Sequence, residues 1–538
     1  MYVHTPSKSL ILKVRDPFAV RELMPAESRA IAFPDGHNVQ VRWTLDATKV
    51  LRNIGVSAPS PITSFYTWPR NTLKYPKVLD HQVDMASFST LNDRLFNLSE
   101  MGTGKTAATL WAIDYLMTIG ALKRALIVCP LSSMKATWTT DIFDLLPHRT
   151  SVVVHGSVER RMKLLKLPHD FYIINHDGLD IEPVAKEVRK RADIGLIVID
   201  EADVLINAQT DVYRFLKWIA ERKQRLWLVT GSPTPNAPTD AWALSKMISP
   251  ELSPQFFGRF RDETMYQAST HRWVPKVGAT ARAFEIMQPA IRFKKRECIS
   301  LPPLIGPRDV PTTLSKEQKD ALKQMRDEMT MFAKTSQITA VNGADKITKL
   351  RQILAGSVKD PTTGEYHLLD CRERVRDLRR VIARSTSKVL VIAPFKGIVR
   401  HLTDVLPKDD KPAGLRGVSV LMMNGDVSPA KRPEIIERFK TDPDIKGMIC
   451  HPQVMSHGLN LSEADITVFY APIYSNRQYS QVIERFNRLG QKNTMYLLRM
   501  LAHPIEASIY KVVDERGTMQ NNILELYKEF ISGKDEEL

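Results

Sequence analysis

The chain carries two series of short, unbroken apolar runs, each run separated from the next by a stretch with helical spacing. The first series falls at residues 95–98, 125–129, 171–174, 196–199 and 226–229, and the second at 389–392, 418–422, 448–450, 466–470 and 495–498. A strand wet on one face alternates apolar and polar residues, whereas a strand covered on both faces reads as continuous apolar sequence. The pattern therefore predicts two α/β lobes, each built on a parallel sheet with helices on both sides. Between them, from 251 to 385, the sequence turns helical and charged. There Met325, Met329 and Phe332 form a helical stripe that predicts core. Arg372, Arg374, Arg376, Arg379 and Arg380 alternate with acids and predict a mostly exposed helix face. Ahead of the first series, residues 10–14 read as a strand. Residues 45–54 read as a helix with Ala47, Val50, Leu51 and Ile54 on one face and Gly55 as its left-handed stop. The expected division is an N-terminal accessory module at 1–78, a first lobe at 79–250, a helical insertion at 251–385, and a second lobe with a C-terminal helix at 386–538.

Composition narrows the class. With 43% hydrophobic and 25% charged residues, the 538-residue chain is ordinary globular protein rather than disordered or fibrous. No apolar stretch reaches the roughly 18 residues that span a bilayer, and the first residues lack the pattern of a secretory signal. Cys129, Cys298, Cys371 and Cys450 are too scattered for a zinc ribbon or a disulfide framework. Cys129 and Cys450 each end an apolar run, where a small thiol packs well. A reducing cytosol fits. The 76 basic residues outnumber the 60 acidic ones, for a net charge of +16, which favours a polyanionic partner such as nucleic acid.

The chemistry begins at Ser99-Glu100-Met101-Gly102-Thr103-Gly104-Lys105-Thr106, between a predicted strand and a predicted helix. A full phosphate-binding loop has glycine where Ser99 stands. The essentials remain: Gly102 and Gly104 let backbone N–H groups approach an anion, and the helix adds its positive end. Lys105 can reach the β- and γ-phosphates of a nucleotide, and Thr106 can hold Mg²⁺. Downstream, the run 196–199 ends in Asp200-Glu201-Ala202-Asp203. A strand that delivers carboxylates at its C-terminal edge puts them where open α/β sheets bind ligands. Asp200 suits the Mg²⁺ shell, and Glu201 suits that shell and the orientation and deprotonation of an attacking water. The alternatives are a glycine-rich loop with a chance lysine and an exposed acidic turn.

Taken together, several segments resemble the Swi/Snf-type ATPases of helicase superfamily two. They are Glu100 to Thr106, Cys129-Pro130-Leu131-Ser132 with Trp138, Thr230-Gly231-Ser232-Pro233, His457-Gly458-Leu459-Asn460-Leu461, and Gln481 to Gln491 with Arg485 and Arg488. The likeness covers roughly residues 79 to 505. Compact phage or bacterial members are the nearer match, because no histone-reading module is apparent. The resemblance implies two RecA-like lobes with ATP and Mg²⁺ in the cleft between them. Met101, Gly102, Thr103, Gly104, Lys105 and Thr106 would cradle the phosphates, Gln82 would read the adenine edge, with a plain surface glutamine as the alternative, and Gln491 would lie at the nucleotide. Arg485 and Arg488 would neutralise the transferring γ-phosphoryl as arginine fingers; a solvated helix face is the alternative for both. Pro130, Ser132, Lys135, Phe395, Ser456 and Asn460 would contact DNA without reading sequence. Trp138 fits core packing better than base stacking. Arg292-Phe293-Lys294-Lys295-Arg296 either contacts DNA, braces the lobes or is a solvated turn.

The expected activity is DNA-dependent ATP hydrolysis by a cytoplasmic monomer, in a prokaryote or phage-infected cell. It would drive movement along duplex DNA and remodel forked or branched DNA or protein–DNA complexes. Strand separation is the alternative enzyme reading, and a non-catalytic DNA-binding scaffold lies in a different class.

Overall fold

The computed structural model describes the chain except residues 29, 35–36, 70–76, 270–271, 299–300, 336–339, 429–430, 456–460, 462, 488–490, 515–525, 527–528 and 533–538. It divides into two compact units. The first comprises Met1–Thr234, Pro238–Met265 and Lys276–Cys298; the second comprises Pro235–Ala237, Tyr266–Pro275 and Ile299–Leu538. Among the described residues no helix is long and apolar enough to cross a membrane.

The first unit is built on a seven-stranded sheet in which every pairing is parallel. From edge to edge the strands are Ala290–Ile291, Arg94–Asn97, Arg225–Val229, Ile194–Asp200, Arg124–Cys129, Phe171–Asn175 and Ser151–Val153. Leu196, Ile197, Val198 and Ile199 are all fully buried, because alternate side chains enter separate cores on the two faces. That is the physical content of an unbroken apolar run. The phosphate-loop helix, Lys105–Thr118, is buried along nearly its whole length, including Trp111 and Asp114.

The N-terminal segment belongs to this unit. Its four-stranded antiparallel sheet holds a small core of Leu10, Leu12, Val39, Val41 and Trp43. The helix Leu45–Asn53 ends as expected, with Gly55 at φ +88°. Two aromatic residues beyond that helix brace the phosphate-loop helix directly. Tyr66 donates to Asp114 Oδ2 at 2.8 Å, and the Trp68 ring meets Trp111 edge-on at 5.5 Å. Burial, then the Asp114 carboxylate, pushes the Tyr66 phenol far above its usual range, so it stays a donor.

The second unit contains a six-stranded sheet, again parallel throughout. Its order is Leu304–Pro311, Met495–Leu501, Ala464–Phe469, Lys388–Ile392, Gly447–Cys450 and Val420–Met423. Two packed cores cover its faces. A third, containing Met325 and Met329, joins the helices Lys316–Thr335 and Ala340–Ala355 to Pro504–Asp514.

The intervening region supplies strands as well as helices, and one reading of it needs correction. Ala290–Ile291 completes the first sheet and Leu304–Pro311 the second. One strand is only two residues long, and the other carries Gly306, Pro307, Arg308 and Asp309, so neither shows an apolar run. The helix Arg372–Arg384 does not present all its arginines to solvent. Arg374 is 1% and Arg379 4% exposed. Arg374 pairs with the buried Glu506 at 2.9 Å and donates to the carbonyls of Leu354, Tyr470 and Met500, tying strand ends to the insertion. Arg379 reaches the carbonyls of Val405, Lys408 and Arg416. Five donors in a fixed fork let an arginine satisfy several buried carbonyls at once, which spacing alone does not reveal.

Candidate nucleotide site

Three neighbouring strands of the first sheet end together at their carboxyl termini: Arg94–Asn97, Arg225–Val229 and Ile194–Asp200. Their extensions are the glycine loop, Thr230-Gly231-Ser232-Pro233 and Asp200-Glu201. Ligands of open α/β sheets sit at such strand ends.

The glycine loop takes its shape from left-handed turns at Gly102 (φ +82°) and Gly104 (φ +83°). Gly104 is the residue before the helix Lys105–Thr118, so the helix N-terminus opens onto the loop. Lys105 Nζ donates to the carbonyls of Ser99 at 2.8 Å and Glu100 at 3.1 Å. Thr103, fully buried, donates to Glu100 O at 2.8 Å. Gly231 lies against the loop: a Cβ there would come within 3.0 Å of Met101 Cγ and 3.6 Å of Lys105 Nζ. Thr106 stands one residue into the helix, half-exposed.

Gln82 and His81, on the helix Asp80–Leu91, are buried against the loop. His81 Nε2 donates to Thr103 O at 2.9 Å. Gln82 Oε1 accepts from Leu79 N at 3.1 Å, while its Nε2 is 2.0 Å from where a Cβ on Gly104 would stand. The amide thus caps its own helix and fills the space beside the glycine.

Asp200 closes the Ile194–Asp200 strand with both oxygens bonded. Oδ1 accepts from Glu201 N at 3.0 Å, and Oδ2 accepts from Trp138 Nε1 at 3.0 Å. His176 Nε2 donates to its carbonyl at 2.9 Å. Desolvation, then the Glu201 carboxylate, pushes Asp200 up to about 6, against the Trp138 bond and the Lys105 charge that pull it down. Glu201 is one of two non-glycine residues with positive φ (+50°) among the described residues. Such a backbone is uncommon for glutamate and marks a held conformation. Trp138 is 1% exposed and packs in the core on one face of the sheet.

Sequence reasoning missed a strap along the loop. The N–H groups of Phe96, Leu98 and Glu100 donate in turn to the carbonyls of Pro289, Ile291 and Phe293 at 2.8–2.9 Å. Phe293 N then donates to Ser99 Oγ at 3.1 Å, and Lys295 N to Glu100 Oε2 at 2.9 Å. Lys295 itself is buried, its Nζ 3.4 Å from where a Cβ on Gly102 would stand. The run Arg292 to Arg296 is therefore partly phosphate-loop wall. Only its basic charge was visible in sequence, since the contacts span about 195 residues.

Of the DNA-contact residues expected in this unit, Lys135 is exposed and Pro130 and Ser132 are half-exposed, all beyond the strand Arg124–Cys129. In the second unit Phe395 is half-buried, with the Arg351 guanidinium 5.3 Å from its ring. Beside it, Lys396 and Arg400 share Asp426 at 3.1 and 2.6 Å. Arg485 Nε donates to Met455 O at 2.9 Å. Gln491 is buried: Nε2 donates to Ala464 O at 3.0 Å and Oε1 accepts from Lys492 N at 2.9 Å. Its amide is thus engaged inside the unit. Ser456, Asn460 and Arg488 lie outside the described residues.

The SNF2-related domain matches residues 95–356, and the helicase conserved C-terminal domain matches 373–490. The chain belongs to the Swi/Snf-type ATPase family. This Swi/Snf-type chain is 25% identical over 469 residues to putative protein p41 of Acyrthosiphon pisum secondary endosymbiont phage 1, covering 81% of itself and 94% of that protein. It is 23% identical to the nuclear protein STH1/NPS1 of Saccharomyces cerevisiae, over 79% of itself but only 32% of the yeast protein's length. It is 22% identical to the human DNA annealing helicase and endonuclease ZRANB3, over 85% of itself and 41% of that protein. Among solved structures it is similar to the Sulfolobus solfataricus SWI2/SNF2 ATPase core in complex with dsDNA, at 20% identity and a TM-score of 0.40, covering 88% and 96% of the two chains.

The residues present fit Mg²⁺–ATP. Among the described residues no group of three or more His, Cys, Asp or Glu forms a metal cage. Mg²⁺ with a nucleotide does not need one, since it uses one or two carboxylates, phosphate oxygens and water. Asp200 and the Thr106 hydroxyl would hold the ion, and the loop amides and Lys105 the phosphates.

Proposed function

We propose that this Swi/Snf-type ATPase couples hydrolysis to movement along duplex DNA, remodelling forked or branched DNA or displacing bound protein. The convergence of Lys105, Gly231 and Asp200-Glu201 at three adjacent strand ends carries the reading. Lys105 would exchange its bonds to the Ser99 and Glu100 carbonyls for phosphate oxygens. Bound Mg²⁺ would neutralise charge on those phosphates. Glu201 would orient the attacking water and take its proton. Arg485 and Arg488 remain the proposed arginine fingers. Residues Pro130, Ser132 and Lys135 would hold DNA phosphates, and the net charge of +16 suits them. The match to a phage protein suits the proposed cytoplasmic setting, and the human relative's name, DNA annealing helicase and endonuclease, supports action on DNA strands.

Release of a third strand from a triplex during ATP hydrolysis reads movement on duplex DNA. Strand release without duplex melting is expected, and Lys105→Ala and Glu201→Gln should abolish it while keeping the fold. Melting of a plain forked duplex without triplex release would favour strand separation instead. No ATP-dependent change on either substrate would remove the reading.

A further inference from the structure

The chain between the DNA-contact residues and the nucleotide carboxylate has an unusual geometry. Met134–Thr139 forms a π-helix, immediately after Pro130, Ser132 and Ser133 and containing Lys135. Such wide turns are rare and concentrate at functional positions. Two threonines hold the register here: Thr139 Oγ1 donates to Met134 O at 2.8 Å, and Thr140 Oγ1 to Lys135 O at 3.0 Å. Each hydroxyl reaches back five residues, the spacing of the wide turn itself. In an α-helix, residues three apart share a face. The wide turn separates them, so Lys135 points to solvent while Trp138 is 1% exposed.

Trp138 then makes the link. Its Nε1 donates to Asp200 Oδ2, while Asp200 Oδ1 accepts from Glu201 N. Rotation of that carboxylate would loosen Glu201, whose left-handed backbone this bond helps to hold. The contacts thus run without a gap from the Lys135 turn to Trp138, Asp200 and Glu201. We propose that Trp138 is a positioning residue through which DNA on the Pro130–Lys135 segment sets the orientation of the Asp200 carboxylate, and thereby the rate of hydrolysis. This rests on the duplex-stimulated ATPase reading above.

The test measures steady-state ATP hydrolysis by the full chain, with and without saturating blunt duplex DNA, across a Mg²⁺ titration. Trp138→Phe keeps an aromatic ring in the core and removes the N–H. Its stimulation by duplex should fall about tenfold, the size of one hydrogen bond to a charged group. Its half-maximal Mg²⁺ concentration should rise, with little change in KM for ATP at saturating Mg²⁺. Thr139→Val/Thr140→Val leaves Trp138 in place and should lower stimulation in the same direction. A merely structural tryptophan would shift thermal stability and leave the stimulation ratio and the Mg²⁺ dependence alone. That result in Trp138→Phe, or wild-type stimulation in the threonine variant should Trp138→Phe fail to fold, overturns the proposal. A wild type that hydrolyses ATP without any response to duplex overturns the underlying reading instead.

Discussion

Gly104→Ala tests how tightly the phosphate loop is built. Two costs add. At φ +83° a Cβ meets the backbone penalty for left-handed conformation, about 1–2 kcal/mol. The same Cβ would stand 2.0 Å from Gln82 Nε2, so Gln82 must leave, breaking the bond from its Oε1 to Leu79 N. That loss adds about 0.5–1.5 kcal/mol, for a total of roughly 1.5–3.5 kcal/mol. Gly120→Ala is the control, because Gly120 has φ +76° and nothing within 4 Å of its Cβ position. It should show the backbone penalty alone. Tryptophan fluorescence during urea unfolding is the assay, since all eight tryptophans precede Pro275 and the signal reports chiefly on the first unit. In Gly104→Ala/Gln82→Ala the crowding is gone, and the cost of the glycine change should drop to the control's value. Hydrolysis should stay impaired in the double variant, because the loop amides still cannot adopt their phosphate-binding geometry. Equal destabilisation by Gly104→Ala and Gly120→Ala would refute the close approach of Gln82.

Arg374→Met strands the Glu506 carboxylate in the interior and should cost about 3–5 kcal/mol. Arg374→Met/Glu506→Met should recover most of it. Calorimetry is suited to this pair, because residues 299–538 contain no tryptophan. In the metal-free protein Asp200 takes up a proton as pH drops through about 6. Because the folded pKa is raised, this group's stabilising contribution is full below the unfolded value near 3.8 and disappears as pH rises through about 6. Asp200→Asn should therefore lack that component of the pH dependence in a denaturation series, and an unchanged profile would contradict the assignment.

The legible part of the fold was the part set by burial on both faces of a sheet. Leu196 to Ile199 must be apolar throughout, and the carboxylates after them are conspicuous for that reason. Gly102 and Gly104 were legible because their positive φ favours glycine. Three features were not legible. The strap from Pro289 to Lys295 works through backbone groups, which any sequence supplies. The Trp138–Asp200 bond joins positions 62 residues apart, and nothing in the local pattern separates a core indole from one that also donates to a carboxylate. Arg374 and Arg379 sit in a sequence that reads as a solvated helix, and only the carbonyls that converge on them make burial tolerable. Gln82 shows the same limit: only the family resemblance assigns it to the adenine edge, and neither its bond to Leu79 nor its packing against Gly104 was visible in the sequence.

The rate of ATP hydrolysis by the full chain, measured at low salt with no nucleic acid, with duplex DNA and with RNA, tests the central claim most directly. Duplex DNA should raise the rate severalfold or more, the effect should fade as salt rises because phosphate contacts release counterions, and RNA should give little. A rate indifferent to duplex DNA, or raised equally by RNA, would contradict it.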